Sequence, residues 1–370
     1  MICKRIAAEG FRNIESCDVT FCDGVNLLWG ENAQGKTNLL EAIAMFSLGK
    51  SFRGVRENEF ISFDRDFCRL SLDYKDSVRD QNLSMAYSKT KQRLIEHNGV
   101  KISRISDMIG LFRSVLFFPE HLNVIKEGPS MRRNFLDVAI SQLRPGYLRS
   151  LQRYNHILSQ RNKLIKTALS DRKSFDETVE FWSYQLANEA SYITLARLSY
   201  LAAAENETKK CFSEMTTGRE TPELEYVFSF RGASEARDGR KALTEAYFSQ
   251  LSSNHDREIA AGATLWGVHK DDIEIKLNGK SARLFCSRGQ QRSLALALKL
   301  SESAISAKDS GEEPVLLLDD VFSELDGERR GYLTERMKHG QVIITSCAEK
   351  SLGTAQVKVI KTENGVFTEE

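Results

Sequence analysis

Gly30-Glu31-Asn32-Ala33-Gln34-Gly35-Lys36-Thr37 decides the fold of this chain, because of what flanks it. An apolar run at residues 25–29 precedes it, and residues 38–48 follow with helical apolar spacing. A buried strand, a glycine turn and a helix start are the parts of a phosphate cradle. Gly30 and Gly35 let the backbone turn so that consecutive N–H groups face phosphate oxygens, and the helix N-terminus adds partial positive charge. Lys36 is expected to reach the β- and γ-phosphates of ATP and Thr37 to hold Mg2+. Glu31, Asn32, Ala33, Gln34 and Asn38 complete the nucleotide-binding loop.

Two further segments make this cradle part of a larger site. Residues 315–318 are four consecutive apolar residues followed by Asp319 and Asp320, and α/β sheets bind their ligands at the C-terminal ends of strands. Asp319 is the expected Mg2+-linked acid, and Asp320 the group that orients or deprotonates the attacking water. Alone, such a run more often ends in an ordinary polar loop; the P-loop raises its significance. Ser287-Arg288-Gly289-Gln290-Gln291 opens a helix over about 290–304, with Leu294, Ala297, Leu298 and Ser301 on one face. A Ser and a Gly amide at a helix start form an anion site, although a capped helix start is the simpler reading of the segment taken alone. One chain already holds its phosphate cradle. The second anion site therefore suits the γ-phosphate bound by another copy, in a two-fold, ATP-dependent homodimer.

The ordered set resembles the ABC-type ATPase heads, and more narrowly the RecF family of bacterial recombination mediators. The residues that carry the likeness are Gly10-Phe11-Arg12-Asn13-Ile14, the P-loop with its helix, Phe118-Pro119-Glu120, Arg132-Arg133-Asn134-Phe135-Leu136-Asp137, Ser159-Gln160-Arg161-Asn162, Gly267-Val268-His269-Lys270-Asp271-Asp272, Ser287 to Gln291, and Leu316 to Arg330. The likeness spans residues 2–347. It implies that Lys36 and Asp319 serve triphosphate and metal, that Asp320 holds the catalytic carboxylate position, and that Ser287 and Gly289 act on a second subunit. It also implies that Arg12 turns toward the nucleotide and that Ser323 to Asp326 cross the dimer interface. Asp320 stands where transporters carry Glu, and Arg288 replaces the first Gly of their signature, so slow hydrolysis is expected. No switch His near Thr345-Ser346 and no metal-contacting Gln after the P-loop helix is evident.

The expected fold class is α/β, an ABC-type P-loop ATPase head with an inserted helical arm. Residues 1–122 form the first part of the head, 123–221 the arm and 222–370 the rest of the head, the turn at Pro222 marking the return. The 370 residues, 41% hydrophobic and 28% charged, suffice for more than one packed unit. No apolar run approaches a membrane span, and the charged start has no secretory core, which predicts a cytoplasmic protein without membrane contact. Seven Cys and six His show no metal spacing.

A net charge of only +1 hides an uneven distribution. From Asn123 to Lys173 eleven Lys or Arg face three acidic residues, among Tyr147, Tyr154 and His156. A helix over 148–169 places Leu151, Leu158 and Ile165 in a heptad-like seam and leaves Arg149, Arg153, Arg161, Lys163 and Lys166 exposed. With Arg132 and Arg133 these are the candidate contacts to DNA phosphates, against the plain reading of a solvated helix face. Lys50, Arg53 and Arg56 are the alternative patch. The resemblance implies an ATP-gated clamp on single-stranded, double-stranded and gapped DNA. It further implies work with RecR and RecO to load RecA in recombinational repair, replication restart and the SOS response. A transporter ATPase subunit would share the nucleotide motifs but has no use for the basic arm; a DNA motor or nuclease would need motifs that are missing here.

Overall fold

The structure is a computed structural model that describes the chain except residues 55–56, 91–92, 217, 219, 232–235, 237, 348–356 and 370. Apolar runs build its central parallel sheet. Strands β3 (Val25–Trp29), β8 (Ser114–Phe117), β12 (Val315–Asp319), β13 (Val342–Ser346) and β14 (Val357–Glu363) lie in the order β14-β3-β13-β12-β8, and β15 (Val366–Glu369) pairs antiparallel on the edge. β8, β12 and β13 are buried throughout, as parallel strands covered on both faces must be. Helix α1 (Lys36–Leu48) leaves β3 through the glycine loop and buries Leu39, Leu40, Ile43 and Phe46.

Alternating sequences instead give an antiparallel sheet. β1 (Ile2–Phe11), β2 (Ile14–Thr20), β4 (Phe67–Lys75), β5 (Asp80–Ser88), β6 (Arg93–His97) and β7 (Val100–Lys101) are ordered β2-β1-β4-β5-β6-β7. Ile6, Phe11, Leu70, Leu72, Leu83 and Met85 of this sheet share one buried cluster with Leu40, Ile43 and Phe46 of α1. Burial of one such side chain is worth about 1.5–3 kcal/mol, so the cluster anchors α1 firmly.

The chain divides into two compact units, Met1–Asn123 with Glu207–Glu220 and Ser287–Glu370, and Val124–Asn206 with Thr221–Cys286. This corrects the boundaries at 123–221 and 222–370. Pro222 does not mark a return to the first unit, because β9 (Pro222–Val227) pairs with β10 (Asp272–Leu277), which pairs with β11 (Lys280–Ser281). The second unit also holds α2 (Pro129–Leu143), α3 (Pro145–Thr167), most of α4 (Arg172–Met215), α5 (Arg240–Ser252), α6 (His255–Ala261) and α7 (Ala282–Phe285). The last part of α4 packs in the first unit, where Glu207 binds Lys308 and Glu214 binds Arg336. Helices α8 (Arg288–Ser310) and α9 (Gly327–Arg336) complete the first unit. Among the described residues no helix is long and apolar enough to cross a membrane.

Helix α3 corrects the expected seam. Its buried face is Tyr147, Ser150, Tyr154, Ile157, Arg161 and Ile165, whereas Leu151 and Leu158 are half-buried. Arg161 belongs to that face because Glu258 waits there: both side chains are fully buried, with Nη2 donating to Oε2 at 2.6 Å, and Ser183 and Thr264 accept from the same guanidinium. Removing one partner of a buried pair strands the other charge. Glu258→Ala is therefore expected to cost about 3–5 kcal/mol, read as a lower urea midpoint for the second unit; a loss below about 1 kcal/mol would show that the pair is not structural.

Candidate nucleotide site

The cradle is built by close backbone approach. Gly30 has φ 157°, and a Cβ there would lie 2.2 Å from the carbonyl oxygen of Thr362, so no other residue fits without moving β14. Gly35, at φ 114°, caps α1 and leaves its first-turn N–H groups without helical partners. The β14–β15 turn supports the loop from outside: Asn364 N donates to Gln34 Oε1 at 2.6 Å and Gly365 N to Gln34 O at 2.8 Å. The Asn364-Gly365 pair was a legible turn signal in the sequence whose partner was not.

Lys36 is buried, and its ammonium donates to the carbonyls of Gly30 at 2.5 Å and Glu31 at 2.6 Å, with Cys347 Sγ at 3.6 Å. Cys347 in turn donates to Asn32 Oδ1. Asn38 donates to Asn13 Oδ1 at 2.6 Å. Arg12, expected to face the nucleotide, is held by Glu41: Nη2 to Oε1 is 2.7 Å and Nε to Oε2 is 3.1 Å. Glu41 is fully buried in α1 and needs this counter-charge, which Arg53 reinforces from 3.6 Å.

The sheet order puts β13 between the P-loop strand and the acidic strand, and three segments meet there. Thr37 Oγ1 donates to Asp319 Oδ1 at 2.7 Å, and Thr345 Oγ1 donates to the same oxygen at 2.8 Å. Asp320 N donates to Thr345 Oγ1 at 2.9 Å. Asp320 itself turns out of β12 with φ 48°. Burial raises the Asp319 carboxyl above its usual range against the opposing pull of the Thr37 and Thr345 hydrogen bonds; the Glu120 charge pushes the same way as burial. Glu120 follows β8, the neighbour of β12, so the Phe-Pro-Glu motif ends beside the acidic strand.

These donors suit Mg2+, a hard cation that prefers oxygen and keeps several waters. Among the described residues no group of three or more His, Cys, Asp or Glu could hold a metal alone. Thr37 and Asp319 would thus supply the chain's ligands, and nucleotide phosphates and water the rest.

Ser287 caps α8 as the simpler sequence reading has it: its hydroxyl accepts from Gln290 N at 3.3 Å, and Ser287 N donates to Gln290 Oε1 at 2.7 Å. Such a cap is worth about 1 kcal/mol. Ser287 and Arg288 are nevertheless exposed, so the start of this 23-residue helix is open. Arg329 of α9 fixes it, donating to Gly289 O at 3.1 Å and Ser293 Oγ at 2.7 Å. Its importance was hidden in the sequence, where it is one charge of a helix's first turn.

The expected DNA contacts divide. Arg132 is buried and paired with Asp272 through two 2.8 Å hydrogen bonds, and Arg161 is buried as described, so both are removed from a phosphate-binding surface. Arg133 is half-buried and donates to Asp271 O at 2.8 Å. Arg153 is exposed but paired with Glu189 at 2.7 Å. Arg149, Lys163 and Lys166 are exposed on α3. Of the alternative patch, Arg53 donates to Asn38 Oδ1 at 2.9 Å, and Arg56 lies outside the described residues.

Comparison with known proteins agrees with this geometry. The family described as RecF/RecN/SMC N terminal domain matches residues 2–368. The "DNA replication and repair protein RecF" of Thermoanaerobacter sp. (strain X514) is 39% identical over 373 residues, covering 100% of both chains. That of Acetivibrio thermocellus is 36% identical over 357 residues, covering 95% of this chain and 94% of the relative. A solved structure of the recombination mediator protein RecF-ATPrS in the RecFOR pathway superposes with a TM-score of 0.93 at 34% identity, covering 99% of this chain and 97% of that one. An Smc head domain from Pyrococcus furiosus, at 15% identity and a TM-score of 0.57, shares the fold alone. The fold is an ABC-type P-loop ATPase head with an inserted helical region, and the chain belongs to the RecF family.

Proposed function

We propose that this protein is an ATP-dependent DNA clamp that dimerises on ATP and hydrolyses it slowly. The observation that carries this is the meeting of Thr37 and Asp319 at 2.7 Å across two strands, in a unit that also presents a second, open helix start at Ser287. The relatives named for DNA replication and repair, and the solved RecF structures with ATP and ATPrS, support nucleotide and DNA as the two ligands.

Lys36 would exchange the Gly30 and Glu31 carbonyls for β- and γ-phosphate oxygens, a neutral-to-charged exchange that strengthens each contact. Thr37 and Asp319 would hold Mg2+, whose role is to neutralise charge developing on the phosphates. Asp320 would orient or accept a proton from the attacking water. Ser287 and Gly289 of a second copy would bind the γ-phosphate, so that its removal frees the interface and opens the clamp. Arg149, Lys163 and Lys166 would meet DNA phosphates without reading sequence. RecR and RecO enter through the RecFOR pathway named for the solved relatives, and RecA loading through the family resemblance.

Light-scattering mass with gapped DNA is expected to double on ATP addition, and Lys36→Ala to remain a monomer; an ATP-independent mass would rule out the clamp. Asp320→Asn should bind ATP and accumulate as a dimer with turnover at least about 10-fold slower, and normal turnover would remove Asp320 from the chemistry. Replacing Arg149, Lys163 and Lys166 by Ala should make the slope of log affinity against log salt shallower by about 2–3, with ATP affinity unchanged; an unaltered slope would place DNA elsewhere.

A further inference from the structure

We propose that Thr345 is a positioning residue for hydrolysis, setting the Asp319 carboxylate and the Asp320 backbone through a single hydroxyl. This rests on the reading that Asp319 and Asp320 serve ATP cleavage. β13 lies between the P-loop strand and the acidic strand, and Thr345 stands opposite Asp319 in one ladder and Leu28 in the other. Its side chain is 1% exposed. A hydroxyl has one hydrogen to give and lone pairs to accept, and both capacities are used here. It donates to Asp319 Oδ1 at 2.8 Å and accepts from Asp320 N at 2.9 Å.

Each bond fixes a different variable. Asp319 Oδ1 receives Thr37 and Thr345 together, and two donors on one oxygen restrain rotation of the carboxylate. Asp320 occupies the left-handed region at φ 48°, which strains a non-glycine residue. The Thr345 hydroxyl and the Ser323 hydroxyl, which donates to Asp320 O at 2.7 Å, brace that turn from its two sides. Asp320 thus leaves the strand in one direction. Loss of the hydroxyl would free the plane of the metal-linked acid and the aim of the water-directing acid at once, while Lys36 and the glycine loop would still bind triphosphate.

The test is steady-state ATPase of the full chain with a Mg2+ titration, alongside binding of a fluorescent ATP analogue and thermal unfolding. Thr345→Val is expected to lower kcat about 10–100-fold and raise the Mg2+ midpoint, with KM for ATP within about 3-fold, and Thr345→Ser to recover most of the rate. Wild-type turnover with an unchanged Mg2+ midpoint in Thr345→Val, or equal impairment of Thr345→Ser, overturns the proposal. Should Thr345→Val not fold, Thr345→Cys, a weaker donor and acceptor, is compared with Thr345→Ser; equal rates for those two also overturn it. Absence of Mg2+-dependent turnover in the unaltered chain would instead overturn the hydrolytic reading, and this proposal with it.

Discussion

One carboxylate oxygen, Asp319 Oδ1, receives hydroxyls from the P-loop helix and from the strand beside it, and the candidate nucleotide site is organised around that meeting. The residues involved, Thr37, Asp319 and Thr345, come from three distant parts of the chain. Only a parallel sheet with β13 between β3 and β12 brings them together. Burying a carboxylate is costly, and the raised Asp319 carboxyl records it. The two hydroxyls offset part of that cost, and a bound cation would offset the remainder.

The second unit is organised by buried charge. Arg132 with Asp272, Arg197 with Asp137, and Arg161 with Glu258 each join segments far apart in the chain. Asp271 accepts from Tyr226 and Tyr247, while the His269 ring takes a 2.6 Å contact from Tyr154 and burial lowers its pKa to about 4. With Nε2 facing the Thr264 carbonyl, His269 is a neutral ring with Nδ1 accepting from Tyr154. The family motifs around Arg132, Arg161 and Asp271 are thus the joints of this unit. Such pairs add little net energy against well-packed apolar substitutes, but each tolerates only one arrangement of its partners.

This changes the electrostatic picture of the arm. Charge counting along residues 123–173 treats every Arg as solvent-facing, and two of the candidate contacts are wholly internal. The basic surface that remains on α3 is smaller and carried by Arg149, Lys163 and Lys166, with Arg153 partly neutralised by Glu189.

Local patterning determined a great deal. The apolar run before Gly30, the glycine spacing, and the four apolar residues before Asp319 each have a period or a turn chemistry that needs no partner to be read, and the strands and helices around them lie where those signals place them. The long-range choices could not be read that way. Whether Arg161 faces water or Glu258, which carboxylate holds Arg12, and whether residues 221–286 join the head or the arm all depend on which distant side chain is available to satisfy a charge or a strand edge. Thr345 shows the same limit, being an ordinary strand residue until β12 lies beside it. Sequence specified what is periodic and local; tertiary structure decided the pairing of buried polar groups, because their cost is settled only by a partner that chain order does not name.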